Sequence, residues 1–186
     1  MTKTAKKKII FDRDAPVLRH IAAPVPLKDL GSKKIGDLLS IMKKALHGEE
    51  DGVAIAAPQV GESLRIFMVA GTALRLAKGK QRGANPEEEL NDLVFVNPEI
   101  IKASKKKKKM EEGCLSVRWL YGQVSRHEKV TITAYNEAGE KVTIGASGLL
   151  AQIFQHEIDH LNGILFIDTA EDLRDLPPNH TDAEAL

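Results

Sequence analysis

The sequence predicts an α+β fold, because helical segments and short strands occupy separate stretches of the chain. Two segments carry apolar residues at helical spacing, and four short runs are rich in β-branched and apolar residues. With 186 residues and 42% apolar content, the chain is long enough for one well-buried core and too short for two ordinary domains. We therefore expect one domain over residues 1–186, with its core at about 9–168.

The first helical segment has an apolar face formed by Ile35, Leu38, Leu39, Met42, Ala45 and Leu46, and it ends near Gly48. Strands are predicted at 64–69, 93–96, 130–135 and 141–144. The turn residues Asn136-Glu137-Ala138-Gly139 join the last two strands as a hairpin. The polar stretch at 71–91 is interpreted as a long loop, an excursion from the core. Residues 171–186 are interpreted as a loose or partly helical tail.

The second helical segment spans roughly 148–162. Its apolar residues Leu149, Leu150, Ile153 and Phe154 recur at helical spacing. Ser147 is the predicted N-cap, and Gly163 stands where a left-handed residue would end the helix. Because apolar residues surround two histidines on this segment, we expect a buried helix.

Those histidines belong to the pentapeptide His156-Glu157-Ile158-Asp159-His160. Residues four apart lie about one turn apart on the same face of a helix, so both imidazoles can bind one metal ion while Glu157 reaches water. The pattern also arises by chance on ordinary helices, with the histidines hydrogen-bonded or solvated. A third ligand would decide between these interpretations.

Three residues are candidates for the third ligand, and a fourth position can be excluded. In one metalloprotease class the motif extends to a histidine after the glycine, but that position is Phe166, which cannot bind a metal. A downstream glutamate completes other sites, and Glu171 and Glu184 lie in a polar stretch with few anchoring residues. The remaining candidate is Cys114, the only cysteine. Alternatively, Cys114 is a small, buried, apolar residue of the core that binds no metal.

Three separated motifs occur in an order that resembles the peptide deformylase family. They are Gly52-Val53-Ala54-Ile55-Ala56-Ala57-Pro58-Gln59-Val60-Gly61, Glu112-Gly113-Cys114-Leu115-Ser116 and Gln155-His156-Glu157-Ile158-Asp159-His160. The resemblance covers about Ile9 to Asp168. It implies a fold of short antiparallel or mixed β-sheets packed around a central metal-binding helix.

The resemblance also implies a divalent metal ion held by Cys114, His156 and His160, with water as the fourth ligand. Three protein ligands and one open position are typical of a catalytic metal site. Thiolate and imidazole ligands suit iron(II), zinc, nickel and cobalt, and the family implies iron(II).

The family's reaction is removal of the N-formyl group from the formyl-methionine of newly made polypeptides, with release of formate. In that reaction the resemblance gives Glu157 the role of acid and base. It places the Gln59 side-chain amide and the Leu115 backbone N–H in the oxyanion hole.

The expected substrate groove follows the first motif, whose small side chains let a peptide backbone approach as an added strand. The residues predicted to bind substrate are Gly52, Val53, Ala54, Ile55, Gly113, Leu149 and Ile153. Glu112 and Arg126 match a family ion pair that orients the cysteine loop, and two exposed charges are the alternative.

The sequence departs from the family pattern at two places beside the expected groove. Ala54 stands where many members have a second glycine, and Arg118-Trp119 stands where proline usually follows the second motif. Both departures bear on which substrate side chains are preferred more than on the catalytic chemistry.

Two other functions remain open at this point. One is a metallopeptidase that cuts internal bonds, which Phe166 and the cysteine ligand disfavour. The other is a catalytically inactive, deformylase-like protein that binds peptides or metal, which the presence of Glu157 and Gln59 disfavours.

Charge and hydropathy restrict the partners. A net charge of +1 gives no general attraction to DNA. No apolar stretch approaches the roughly 20 residues of a membrane span, so we expect no membrane contact and a cytoplasmic location. We also expect a monomer. The run Lys105 to Lys109 predicts a solvated loop or turn, with transient association with ribosomal RNA as a weaker hypothesis.

Overall fold

The computed structural model describes residues 10–78 and 91–177. Its helices are α1 (Lys33–His47), α2 (Gly71–Lys78) and α3 (Gly148–Leu161). Its strands are β1 (Ala54–Ala56), β2 (Ile66–Val69), β3 (Leu93–Ala103), β4 (Lys107–Cys114), β5 (Val117–His127), β6 (Lys129–Tyr135), β7 (Lys141–Ser147) and β8 (Glu171–Asp175). Helices and antiparallel sheets both occur, which confirms the predicted α+β class.

Helix α1 forms where the apolar spacing predicts it. The Ser32 side chain accepts a hydrogen bond from the Ile35 N–H at its start, over 3.4 Å, and satisfies one of the donors that a helix leaves free there. The buried face consists of Ile35, Leu38, Met42, Ala45 and Leu46. This face packs into the main core next to the first motif.

The larger sheet has five antiparallel strands in the order β1-β2-β3-β6-β7. Its strands include all four predicted ones, although β3 continues seven residues beyond the predicted end at Val96 to Ala103. The predicted hairpin joins β6 and β7, and Gly139 adopts the left-handed conformation (φ +80°) that its turn requires. Strand β1 forms one edge of this sheet.

The smaller sheet has the order β4-β5-β8 and contains strands that the sequence did not predict. Strands β4 and β5 form an antiparallel pair from Lys107 opposite His127 to Cys114 opposite Val117. The predicted loop at Lys105 to Lys109 is therefore wrong for residues 107–109, which belong to β4. Their side chains are nonetheless exposed, because both faces of this end of the strand meet solvent.

Two predicted irregular segments contain regular structure. Within the predicted excursion, residues 71–78 form α2, whose Gly71 N–H donates to the Asp92 carboxylate over 3.0 Å. Within the predicted tail, residues 171–175 form β8, because β5 offers an open edge for backbone pairing. Residues 79–90 and 178–186 of these two segments lie outside the described residues.

Helix α3 is buried between the two sheets, as predicted. On one side, the Phe154 ring lies 5.9 Å from that of Phe67 and 5.2 Å from that of Phe95, between ring centroids. On the other side, the Gln155 amide accepts from the His127 N–H and donates to the His127 carbonyl, over 2.9 and 3.0 Å. The helix is thus held between an apolar layer and the second sheet.

Both ends of α3 lie where they were predicted. Ser147 is the N-cap residue, as predicted, although its side chain makes no capping hydrogen bond. Gly163 is left-handed (φ +74°), and a Cβ there would lie 2.9 Å from the Arg19 carbonyl. Glycine is therefore required at the end of the helix, as predicted.

We expect Phe154→Ala to lower the free energy of unfolding by about 3–5 kcal/mol, because it leaves a cavity beneath the ring cluster. Urea denaturation at fixed metal content measures the change. Ile41→Ala, on the exposed side of α1, is the control and should cost less than about 1 kcal/mol. Equal losses in both variants would contradict the central position of the ring cluster.

Candidate metal centre

Cys114, His156 and His160 meet beside helix α3. Their candidate donor atoms, one sulfur and two imidazole nitrogens, all lie within 4.8 Å of one another. The Cys114 Sγ is 3.2 Å from the His160 Nε2. The cysteine ends β4, while the histidines lie one turn apart on α3, so the fold joins parts of the chain that are distant in sequence.

The spacing of these donors fits a metal ion. In tetrahedral zinc sites the metal lies about 2.3 Å from sulfur and about 2.0 Å from nitrogen, which places the two donors about 3.5 Å apart. The observed distance of 3.2 Å between sulfur and nitrogen is close to that value. One thiolate and two imidazoles are also a donor set that divalent transition metals bind.

The surroundings of Cys114 favour the thiolate, the form that binds metals. Burial alone would raise the pKa of the thiol. The charge of His160 and hydrogen bonds with both histidines outweigh burial, so the pKa of Cys114 falls well below its ordinary value. Burial would lower the pKa of His156, but hydrogen bonds with Cys114 and Glu112 and the charges of Cys114 and Glu157 raise it well above its ordinary value.

A buried carboxylate fixes the orientation of His156. The Glu112 Oε2 lies 2.9 Å from the His156 Nδ1, which leaves Nε2 as the nitrogen available to the metal site. Burial would raise the pKa of Glu112, but hydrogen bonds from Arg126 and His156 lower it to about 2. Glu112 is therefore ionised and accepts a hydrogen bond from the imidazole N–H of His156.

The predicted ion pair between Glu112 and Arg126 is present and buried. Arg126 binds the two carboxylate oxygens of Glu112 through Nε and Nη2, over 2.7 and 2.9 Å. Its remaining nitrogen, Nη1, donates to Asp159 over 2.5 Å. Because Asp159 lies on α3 between the two histidines, this arginine ties the β4–β5 pair to the helix.

Glu157 is buried beside the cluster and lines the adjoining cavity. Its Oε2 has no hydrogen-bond partner among the described residues. Burial raises the pKa of this carboxyl to about 7, although the charges of His156 and His160 act in the opposite direction. Buried polar atoms are rarely left unpaired, so the arrangement is typical of a group that meets a ligand or water.

Gln59 places its amide group over the cysteine. Its Oε1 accepts from the Ala56 N–H over 2.8 Å, which fixes the orientation of the side chain. Its Nε2 then faces the Ser116 Oγ at 3.2 Å and the Cys114 Sγ at 3.6 Å. The amide donor is thus held in place before any substrate arrives.

A cavity of about 300 Å³ opens from the metal cluster to the surface. Five of the predicted substrate-binding residues line it, and they are Val53, Ala54, Gly113, Leu149 and Ile153. Leu115, predicted as an oxyanion donor, lines it too. Its size is at the lower end of the range of small-molecule sites.

Two predicted substrate-binding residues lie elsewhere. Ile55 is fully buried in the main core, because neighbouring residues on a strand point to opposite faces and Ala54 faces the cavity. Gly52 is not among the lining residues. A Cβ there would lie 2.5 Å from the Leu46 carbonyl, so this glycine allows close packing of the chain against the end of α1.

Neither Phe166 nor Glu171 completes the metal cluster. Phe166 is buried in the smaller core cluster, with its ring centroid 6.3 Å from that of His156. Glu171 is exposed and pairs with Lys109 over 2.5 Å. Glu184 lies outside the described residues.

Several residues near the site were not predicted from the sequence. Asp159 binds Arg126, and its position three residues after His156 was an available signal. Ser116 binds Gln59. Gln152 lines the cavity and donates to the Glu111 carbonyl over 2.7 Å, a contact with no local sequence signal.

Comparisons with known proteins agree with this geometry. The family described as polypeptide deformylase matches residues 7–175. Peptide deformylase of Carboxydothermus hydrogenoformans is 41% identical over 159 residues, which are 85% of this chain and 90% of that protein. Peptide deformylase of Halothermothrix orenii is 44% identical over 153 residues, covering 82% of this chain and 86% of that protein.

A solved structure supports the same relationship. The class I type b peptide deformylase from Acinetobacter baumannii, with Met-Ala-Ser bound, superimposes with a TM-score of 0.72 at 39% identity. The match covers 86% of this chain and 95% of that one. Because the family match includes both the cysteine strand and the histidine helix, the chain belongs to the polypeptide deformylase family.

Proposed function

We propose that this chain removes the N-formyl group from the terminal formyl-methionine of new polypeptides and releases formate. It is a metal-dependent deformylase by family and fold. The observation that carries the assignment of roles is the cluster of Cys114, His156 and His160 beside the buried, unpaired oxygen of Glu157. We treat the described sheets and helices as one catalytic domain because α3 packs on both sheets.

Cys114, His156 and His160 would hold one divalent cation, and we propose iron(II), with zinc, nickel or cobalt as substitutes. Bound there, the cation would act as a Lewis acid that makes water more acidic and polarises the formyl carbonyl. Glu112 and Arg126 would position the ligands, since Glu112 fixes the ring of His156.

Glu157 would move the proton. It accepts one from the water whose oxygen attacks the formyl carbon, and it gives that proton to the amide nitrogen as the C–N bond breaks. Formate and a free amino terminus result, without a covalent enzyme intermediate. A pKa raised to about 7 by burial suits a group that both accepts and donates a proton.

The Gln59 side-chain amide and the Leu115 backbone N–H would stabilise the negative oxygen that develops on the formyl group. Gln59 is fixed by its hydrogen bond with Ala56, so no reorganisation is needed as the charge appears. This role explains a buried amide that a metal site alone would not require.

The walls of the cavity suit a methionine side chain. Val53, Leu149 and Ile153 supply apolar surface, and β1 offers a free sheet edge along which a peptide can pair. The Acinetobacter baumannii relative binds Met-Ala-Ser, the sequence that remains when a formyl tripeptide loses its formyl group.

The two competing functions have less support. The extended zinc protease pattern needs a ligand where this chain has the buried ring of Phe166. A protein that only binds metal or peptide would have no use for an unpaired carboxylate at the metal cluster. Formate release without cleavage of internal bonds separates all three functions.

We propose that the enzyme acts as a monomer in the cytoplasm, where formylated chains emerge from ribosomes. Among the described helices, none is long and apolar enough to cross a membrane. The exposed lysines at 105–109 supply a basic edge that would favour transient contact with anionic ribosomal RNA.

Substitution should separate metal binding from proton transfer. We expect Glu157→Gln to retain the metal and lose about 10²–10⁴-fold in kcat, because the proton carrier is removed. Cys114→Ala should lose the metal itself, because one of three protein ligands is gone. Elemental analysis of anaerobically purified protein measures the metal content, and formate release from formyl-Met-Ala-Ser measures kcat. Equal metal loss in the two variants would contradict this division of roles.

Gln59→Leu should lower kcat by about 10²–10³-fold through loss of one oxyanion donor. Metal content and the midpoint of thermal unfolding show whether the variant is otherwise intact. A variant that keeps its metal and its turnover would show that Gln59 has no part in stabilising the transition state.

Replacing the five lysines at 105–109 with glutamine should weaken ribosome association at low salt and make it less dependent on salt concentration. Cosedimentation with ribosomes over a range of salt concentrations measures both. A matched control replaces five exposed lysines elsewhere, namely Lys28, Lys33, Lys34, Lys43 and Lys44. Equal weakening by both sets would contradict a specific role for the run.

A further inference from the structure

The mouth of the cavity carries a charged cluster that the reaction does not use. Arg118 donates from Nη2 to the Glu49 carboxylate over 2.5 Å, and from Nη1 to the two oxygens of Asp51 over 3.2 and 3.1 Å. The acids come from the segment between α1 and β1, whereas Arg118 lies on β5, just beyond the cysteine loop. These ion pairs therefore connect two walls of the cavity.

The backbone that presents Arg118 is held in place. Trp119 adopts a left-handed conformation (φ +68°), which is unfavourable for a bulky residue and occurs mostly where the surrounding structure enforces it. The Leu176 N–H donates to the Trp119 carbonyl over 2.7 Å, and β8 pairs with β5 at the next residue, Leu120. The Arg118 guanidinium also lies 5.8 Å from the centroid of the Trp119 ring.

The cluster has an excess of negative charge. Two carboxylates, Glu49 and Asp51, share one guanidinium, so the net charge of the three is −1. On the other side of the cavity, Glu111 is neutralised by a contact with Arg174. The arginine is less exposed than either acid, with 24% of its side chain accessible against 39% for Glu49 and 59% for Asp51.

A bound peptide would pass this cluster soon after its first residue. Val53 and Ala54 line the cavity, and Asp51, which also lines it, lies three positions before Ala54. A strand advances about 3.3 Å per residue, so a peptide paired along β1 would bring its second or third side chain near the acids.

We propose that Glu49, Asp51 and Arg118 form an electrostatic filter that selects substrates by the charge of the second or third residue. This inference rests on the proposed deformylase function. A lysine or arginine side chain would share the two carboxylates, which have more acceptor sites than Arg118 can fill. An acidic side chain would meet the same excess negative charge and compete with two carboxylates for one guanidinium.

The filter should favour lysine over glutamate by about three- to fivefold in kcat/KM at low salt, the effect expected of one partly exposed charge pair. The test compares formyl-Met-Lys-Ser with formyl-Met-Glu-Ser, and formyl-Met-Ala-Lys with formyl-Met-Ala-Glu. Formyl-Met-Ala-Ser serves as the neutral reference. The preference should appear mainly in KM and approach one in 1 M salt, because solvent ions screen exposed charges.

Substitutions that change the charge of the cluster should change the ratio of kcat/KM between the lysine and glutamate peptides. The double variant Glu49→Gln with Asp51→Asn changes the cluster from −1 to +1 and should invert the ratio in favour of glutamate. Arg118→Gln changes it to −2 and should increase the preference for lysine. The matched control is Glu137→Gln with Glu140→Gln, the same change of two charges at the remote β6–β7 turn, which should leave the ratio unaltered.

A lysine-to-glutamate ratio near one in the unmodified enzyme at low salt would overturn the filter, as would an equal change in the acid and control double variants. Formate release from the neutral reference peptide keeps this outcome separate from failure of the proposed function. An enzyme that deformylates the reference without charge preference is still a deformylase, whereas one that releases no formate from any peptide is not.

Discussion

The relative positions of the three proposed metal ligands depend on the buried contact between Arg126 and Glu112. Two parallel hydrogen bonds join these side chains, and the two residues lie on paired strands, so the contact fixes the β4–β5 pair that carries Cys114. The third arginine nitrogen binds Asp159 on α3, and Glu112 binds His156. One guanidinium thereby sets the distance between the thiol and the imidazoles, which come from different parts of the fold.

Such a contact is costly unless each charge is well paired, because removing ions from water costs several kcal/mol per ion. Here the Glu112 oxygens receive hydrogen bonds from Arg126 and His156, and the Arg126 nitrogens bind two carboxylates. The pairing lowers the pKa of Glu112 to about 2 despite its burial. Glu157 has the opposite environment, with one unpaired oxygen and a raised pKa. Two buried glutamates beside the same metal cluster thus have environments suited to different tasks, one fixed and one reactive.

The sequence predicts the helices and strands whose apolar patterns are strong. Helix α1 has a regular buried face, and strands such as β6 alternate between buried and partly exposed residues. Strand β4 reads Lys-Lys-Lys-Met-Glu-Glu-Gly-Cys, without the apolar alternation of a half-buried strand. It is a strand because β5 pairs with its backbone, and β8 is one for the same reason. Tertiary pairing of this kind leaves little local signal.

The candidate site was predictable to the extent that its residues lie within short motifs. The three proposed metal ligands, Glu157 and Gln59 all lie in the motifs. The fold brings the donor atoms of the three ligands within 4.8 Å of one another, beside the cavity that Glu157 and Gln59 line. Ile55 was misplaced because an apolar residue in a motif can face either side of a strand, and only the register of β1 against β2 decides which. The contact of Arg118 with Glu49 spans 69 positions and has no local pattern.

The departures of this chain from the family pattern concern the rim of the cavity and leave the proposed chemistry intact. Arg118 and Trp119 follow the cysteine loop by a few residues, yet neither contacts the metal cluster in the described contacts. The left-handed backbone at Trp119 is stabilised from outside the site, by the hydrogen bond from Leu176 and the pairing of β8. The groups that would bind metal and move protons instead depend on Arg126 and α3. Different contacts therefore hold the backbone at Trp119 and the proposed metal ligands. Residues at the rim can change in charge and size while the geometry of the cysteine and histidines is preserved.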